Sequence, residues 1–79
     1  MITTEILNTT DYTVIEDRIN DIVLDFYISS ASRLLVREMM HLHECFINAT
    51  NVAAFGRDDE EIRDCAEAII DLYDERFDA

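Results

Sequence analysis

Proline, lysine and tryptophan are absent from this 79-residue chain, and glycine occurs only once. Turn-rich β folds need glycine and proline at their tight turns, whereas long helices exclude both residues from their interiors. Hydrophobic residues make up 49% of the chain, which is enough to form a core. The composition therefore predicts an all-α protein, and the length predicts a single small acidic helical domain over residues 1–79.

Positive charge is also scarce. The chain has 18 acidic residues and six basic residues, all of them arginine, so its formal net charge is −12. The field of such a protein repels nucleic acids and anionic membranes and attracts basic proteins. We therefore expect no direct binding to nucleic acid and no binding to membranes, and we expect the partner to be a basic protein.

The sequence also lacks a signal peptide pattern and a membrane-spanning stretch, which bear on the cellular location. The segment MITTEILNTT has neither the basic nor the apolar region of a signal peptide, and no stretch approaches the roughly 18 apolar residues of a membrane span. We therefore expect a cytoplasmic protein, in which Cys45 and Cys65 stay reduced and have structural roles. In an exported protein, the same two cysteines could form a bridge between two helices.

The spacing of apolar residues predicts a first helix that begins near residues 11–13. Thr13 and Glu16 have the spacing of a capping box there. The predicted buried stripe consists of Ile15, Ile19, Ile22, Val23 and Phe26. A serine-rich stretch over residues 29–32 predicts a turn, with a single bent helix as the alternative. Residues 2–8 show no clear period.

The second predicted helix runs to about Phe55, with Gly56 as a left-handed cap residue. Its main stripe consists of Leu35, Met39, Leu42, Phe46 and Ala49. Residues 31–57 carry only two acids and three arginines, and apolar side chains extend around more than one face. Two short neighbouring helices do not cover such a helix fully, which predicts a homodimer.

The third predicted helix opens at Asp58, which has the spacing of a capping box with Glu61. Its apolar side consists of Ile62, Cys65, Ala66, Ile69, Leu72 or Tyr73, and Phe77. Residues 58–79 hold ten of the 18 acids. The predicted architecture is therefore a helical hairpin followed by an acidic C-terminal helix.

Six carboxylates of this third helix recur every three or four residues and form one line, here called the acidic row. Its members are Glu60, Asp64, Glu67, Asp71, Asp74 and Asp78. Like charges at these spacings cost about 0.2–0.5 kcal/mol per pair, and acids near a helix C-terminus oppose the helix dipole. Helix stability therefore does not explain the row, although an ordinary solvated face is the alternative.

The row rises about 27 Å along the helix, with a charge every 4.5–6 Å or so. Asp17, Asp21 and Asp25 are predicted to form a second line on the first helix. Two such lines resemble a phosphate backbone, as do the acidic surfaces of phage-encoded inhibitors of restriction enzymes and CRISPR effectors. The sequence therefore predicts a non-enzymatic, nucleic-acid-mimicking inhibitor or regulator that occupies the basic groove of a DNA- or RNA-binding protein.

Two other interpretations compete with this one. The chain could be a homo-oligomeric adaptor or an antitoxin-like protein that binds through its apolar middle helix. Glu38, His41 and Cys45 also share a helix face and have the spacing of metal ligands or of a nucleophile with its base. The chain offers no second Glu-x-x-His motif and no glycine-rich oxyanion loop, so we expect no metal, no cofactor and no catalysis.

Overall fold

The computed structural model describes residues 12–29, 32–51, 53, 56 and 58–78, with the side chain of Asp78 outside this description. Helix α1 spans Tyr12–Ser29, α2 spans Arg33–Thr50 and α3 spans Asp59–Asp78. The described residues contain no strand. The predicted all-α class and the three helices are confirmed, whereas residues 2–8 and Phe55 themselves lie outside the described residues.

The first two helices form a hairpin with a short break between them. Helix α1 begins at Tyr12, within the predicted range, and ends at Ser29. Ser32 has extended backbone angles (φ −91°, ψ 123°), and its hydroxyl accepts a hydrogen bond from the Leu35 amide at 3.4 Å. Because Ser32 is non-helical and caps the start of α2, the chain forms two separate helices, and the bent-helix alternative is wrong.

The predicted end of the second helix is wrong by about five residues. Helix α2 ends at Thr50, where the Asn51 amide donates to the Asn48 carbonyl at 3.2 Å. The Thr50 hydroxyl donates to the Ile47 carbonyl at 2.9 Å, so local groups satisfy the last turn. Gly56 has the predicted left-handed backbone (φ 73°), but it lies beyond the end of α2 and does not cap it.

The start of α3 agrees with the prediction. One carboxylate oxygen of Asp58 accepts hydrogen bonds from the amides of Glu60 and Glu61, at 3.1 and 3.2 Å. These bonds satisfy donors that a helix N-terminus leaves free. Asp59, Glu60 and Glu61 also place negative charge on the positive end of the helix dipole, which favours the helix.

One hydrophobic core joins all three helices. Its buried members are Ile15, Ile19, Ile22, Val23, Phe26, Met39, Phe46, Ala49, Ile62, Ala66, Ile69, Ile70 and Leu72. The predicted stripes account for this set except for Ile70, which the sequence pattern missed. Leu35, Leu42, Cys65 and Tyr73 pack against the core and are half-buried. Of the predicted alternatives on α3, Leu72 is therefore the buried residue and Tyr73 the marginal one.

Contacts between α1 and α3 show that the two helices run in the same direction. Arg63 lies over the ring of Tyr12, near the start of both helices, at 5.9 Å. Phe77 meets Phe26 edge to face near the end of both, with ring centroids 6.3 Å apart. Helix α2 returns between them in the chain, so the domain is an up-down-up bundle in which α3 packs on both partners.

Candidate functional site

The acidic row follows the outer side of α3. Glu60, Asp64, Glu67 and Asp71 are exposed. At 100° per residue, these four positions lie opposite the buried residues Ile62, Ala66 and Ile69. Asp74 is half-buried, and the side chain of Asp78 is outside the described part. The exposed segment of the row therefore extends from Glu60 to Asp71, about 16 Å along the helix axis.

The second acidic line lies on the exposed surface of α1. Asp17, Asp21 and Asp25 are all exposed. Asp25 also accepts a hydrogen bond from the hydroxyl of Tyr73 on α3, with an oxygen–oxygen distance of 2.6 Å. This bond ties the C-terminal end of the α1 line to α3.

A cleft of about 240 Å³ separates the two acidic helices, and Arg18, Asp21, Ile22, Asp25 and Tyr73 line it. Since α1 and α3 run in the same direction, Asp17, Asp21 and Asp25 lie at about the same heights as the C-terminal half of the row. Asp21 and Asp25 of the α1 line border this cleft, and its described lining contains no member of the acidic row. Arg18 is the one positive group among the described residues of the cleft lining.

The arginines of α3 lie on other sides of the helix. The Arg76 guanidinium is 5.3 Å from the centre of the Phe77 ring, and Arg63 covers Tyr12 on α1. Such contacts hold a cation against an aromatic face. Both arginines therefore extend over apolar rings near the α1 side, and the outer surface of α3 is dominated by carboxylates.

The face of α2 with possible metal ligands does not assemble a site. Glu38 and His41 are exposed, and Cys45 is half-buried with its sulfur 3.9 Å from Nε2 of His41. Among the described residues, no group of three histidine, cysteine, aspartate or glutamate side chains has the geometry to hold a metal ion. The Cys45–His41 contact is a local one, four residues apart on one helix.

Burial changes the titration of two side chains near the helix interfaces. It raises the pKa of the Cys65 thiol, and Cys45, Glu61 and Asp64 raise that pKa further by electrostatic repulsion. A cysteine with a raised pKa is a poor nucleophile at neutral pH. Burial also lowers the pKa of His43, whose Nε2 lies 3.3 Å from the side-chain oxygen of Asn20 on α1.

A second exposed surface, on α2, combines apolar and charged residues. Leu34, Met40 and Ile47 are 77%, 56% and 48% exposed. Arg33, Arg37 and Glu44 are exposed on the same side of the helix. The sequence predicts an apolar middle helix but not this charged surface. The four-residue spacing of Arg33 and Arg37 is the sequence signal that could have indicated it.

No protein-family model, curated protein or solved structure matches this chain. Among the described residues, no helix has both the length and the hydropathy required to cross a bilayer. Function is therefore inferred from the charge and exposure of the two surfaces described above.

Proposed function

We propose that this chain is a non-enzymatic inhibitor or regulator that acts in the cytoplasm by occupying the nucleic-acid groove of a basic protein. The observation that supports this function is the exposed acidic row on α3, together with the exposed Asp17 and Asp21 on α1. Arginine and lysine side chains that normally hold phosphates would pair with these carboxylates through charge-assisted hydrogen bonds.

The spacing of the charges supports imitation of a phosphate backbone. Successive carboxylates of the row are separated by about 4.5–6 Å, whereas one DNA strand has a phosphate every 3.4 Å or so along its axis. A single row is therefore sparser than one strand. A second acidic line on α1, at similar height, brings the local charge density closer to that of a nucleic acid.

A homo-oligomeric adaptor or an antitoxin-like protein is the second candidate function. The exposure of Leu34, Met40 and Ile47 favours it, since exposed apolar groups on one helix mark interaction surfaces. The two candidates differ in their response to salt. Binding by carboxylates weakens as salt is added, whereas binding through an apolar surface persists or tightens.

The first experiment is to recover partners from a lysate of the host cells on the immobilised protein and to elute them with a salt gradient. A partner of the acidic row should elute at moderate salt and should lose its bound DNA or RNA when the protein is added. A partner that stays bound in high salt, or that keeps its nucleic acid, would contradict the mimicry and favour the adaptor.

A row variant then tests the surface itself. Changing Glu60 and Glu67 to Gln and Asp64 and Asp71 to Asn removes four charges from exposed positions and relieves repulsion within α3. If each charge contributes as a surface ion pair does, affinity for the recovered partner should fall roughly 100-fold. The slope of affinity against salt concentration should also decrease.

Two single variants with the same chemical change test whether the position of a charge matters or only the total charge. Glu67→Gln alters the row, and Glu38→Gln alters an exposed residue of α2. Both raise the net charge by one. Weaker binding for Glu67→Gln alone would locate the partner on the row, whereas equal losses would show that only the total charge matters.

A further inference from the structure

The outer side of α2 carries a surface that the proposed inhibitor function does not use. Leu34, Met40 and Ile47 are exposed there, on the side away from the buried Met39 and Phe46. A groove of about 650 Å³ runs along this side, and its lining includes Arg33, Val36, Arg37, Met40, His41 and Glu44. The surface is therefore both apolar and locally basic in a protein whose net charge is −12.

Stability of the single chain does not account for these residues. Arg33 is the first residue of α2 and Arg37 lies one turn later, so both are near the positive end of the helix dipole. They are also four residues apart, where like charges repel. Exposed leucine, methionine and isoleucine side chains keep apolar surface in contact with water. Burying that surface against another protein would be favourable.

The charges on this surface are self-complementary: opposite charges lie at symmetric positions about the middle of α2. Arg37 and Glu44 lie at equal distances from the midpoint between residues 40 and 41. Suppose that two copies of α2 pack antiparallel about a two-fold axis through this midpoint. Arg37 then faces Glu44 of the second copy, twice by symmetry, and the two Met40 side chains lie close to the axis.

We propose that this surface is an isologous homodimer interface, in which α2 packs antiparallel on α2 of a second copy. The Arg37–Glu44 pairs set the register. Val36 and Met40 of the groove supply apolar contact, with Leu34 and Ile47 at the two edges of the interface. The inference does not rest on the inhibitor function, because the acidic row lies on another helix. A dimer would carry two such rows.

The competing occupants of this surface fit less well. The acidic row of another copy would match Arg33 and Arg37, but it would oppose Glu44. It would also leave Leu34 and Ile47 against carboxylates. A nucleic acid would meet the same difficulty at Glu44 and would be repelled by the rest of the chain. A second α2 satisfies the basic, acidic and apolar positions together.

Sedimentation equilibrium over a range of micromolar concentrations tests the proposal with charge-reversal variants. Arg37→Glu places two glutamates opposite each other in the dimer, and Glu44→Arg places two arginines opposite each other. Each variant should dimerise roughly tenfold more weakly than the unaltered chain, since two surface ion pairs become repulsive. An equimolar mixture of the two variants should form a mixed dimer, because every opposed pair is again of opposite sign.

Glu44→Arg separates register from overall charge. It lowers the magnitude of the net charge from 12 to 10, so long-range repulsion between copies decreases. If only overall charge controlled association, this variant would dimerise more strongly than the unaltered chain, and the proposed register would be wrong. Circular dichroism of each variant checks that α2 remains folded.

The double variant Arg37→Glu/Glu44→Arg restores opposite charges at both opposed positions and should recover the dimer. Failure of both the mixture and the double variant to recover dimerisation, with helical content retained, would overturn the proposal. A strictly monomeric unaltered chain across the concentration range would also overturn it.

Discussion

Helices α2 and α3 are of similar length, at 18 and 20 residues, and contribute to the same core, but their outer sides differ in charge. The outer side of α3 is a line of carboxylates, whereas the outer side of α2 alternates arginine, apolar residues and glutamate. Each outer side also carries charges that oppose its own helix dipole. Arg33 lies at the positive end of α2, while Glu75 lies near the negative end of α3.

This comparison of α2 and α3 separates the residues that the fold requires from those that it does not require. Inward residues of both helices are apolar and buried, and the core explains them. Some outward residues, such as Arg33 and Glu75, oppose the dipole of their own helix, whereas Asp59, Glu60 and Glu61 favour α3. The outer side of α3 is therefore uniformly acidic, and that of α2 is mixed in charge and hydrophobicity.

The largest expected effect contrasts the inner side of α3 with the outer side of α2. Ile69 is fully buried and Leu34 is 77% exposed. We expect Ile69→Ala to lower the free energy of unfolding by about 2–5 kcal/mol. Leu34→Ala should change it by less than about 0.5 kcal/mol when measured at concentrations too low for dimerisation. Urea unfolding monitored by circular dichroism measures both, and similar losses would show that the outer side of α2 belongs to the monomer core.

A smaller effect is expected at the link between the two acidic helices. Tyr73→Phe removes the hydroxyl that donates to Asp25 and keeps the ring that packs on Phe77, 4.6 Å away. The cost in unfolding free energy should be about 1 kcal/mol. Asp25→Asn keeps an acceptor oxygen and should cost less. Equal stability of Tyr73→Phe and the unaltered chain would indicate that this hydrogen bond is replaced by water without loss.

Replacing the two charges that oppose their own helix dipoles should stabilise the protein. Arg33→Glu and Glu75→Lys each replace an unfavourable charge at a helix end, so each should raise the free energy of unfolding by about 0.3–1 kcal/mol at low salt. Thermal unfolding at low and high salt provides the control, since screening should remove most of the gain. A loss of stability in either variant would show that the native charge makes a stabilising contact within the monomer.

The smallest expected effect depends on pH. The pKa of His43 is lowered by burial, so the folded state favours its neutral form. This contribution to stability is present above the ordinary histidine pKa, about 6.5, and is lost as the pH falls through the lower pKa of the folded state. The stability of the unaltered chain relative to His43→Gln should therefore decrease between about pH 7 and pH 5. A constant difference would show that His43 protonates equally in both states.

Much of the fold could be predicted because local rules are strong in this chain. The predicted cap Asp58 marks the start of α3, whereas Thr13, the predicted cap of α1, lies inside that helix. The serine-rich stretch predicted the turn but not the capping role of Ser32. The predicted stripe of α1 is buried in full. The prediction of a helix boundary was wrong where the sequence carries no strong stop signal. Helix α2 ends at Thr50, where side-chain and backbone groups close its last turn, and the sequence between Thr50 and Gly56 lacks proline.

The candidate site could be predicted in part. The spacing of Glu60, Asp64, Glu67 and Asp71 placed them on one outward line, and all four are exposed. The different environment of Asp74 could not be predicted, because it depends on how α3 packs in the bundle. The hydrogen bond between Asp25 and Tyr73 joins residues 48 positions apart, and no local pattern indicates such a pair.

The sequence by itself determined that this protein is helical and strongly acidic, and most of the residues of each helix that face inward, although Phe77 of the predicted apolar side is 40% exposed. These properties follow from composition, capping and the period of the helix, all of which act over a few residues. Only the tertiary structure decided how wide each buried face is. Ile70 is buried because α3 packs against two helices, and Leu34, Met40 and Ile47 are exposed because neither neighbour of α2 covers its outer side.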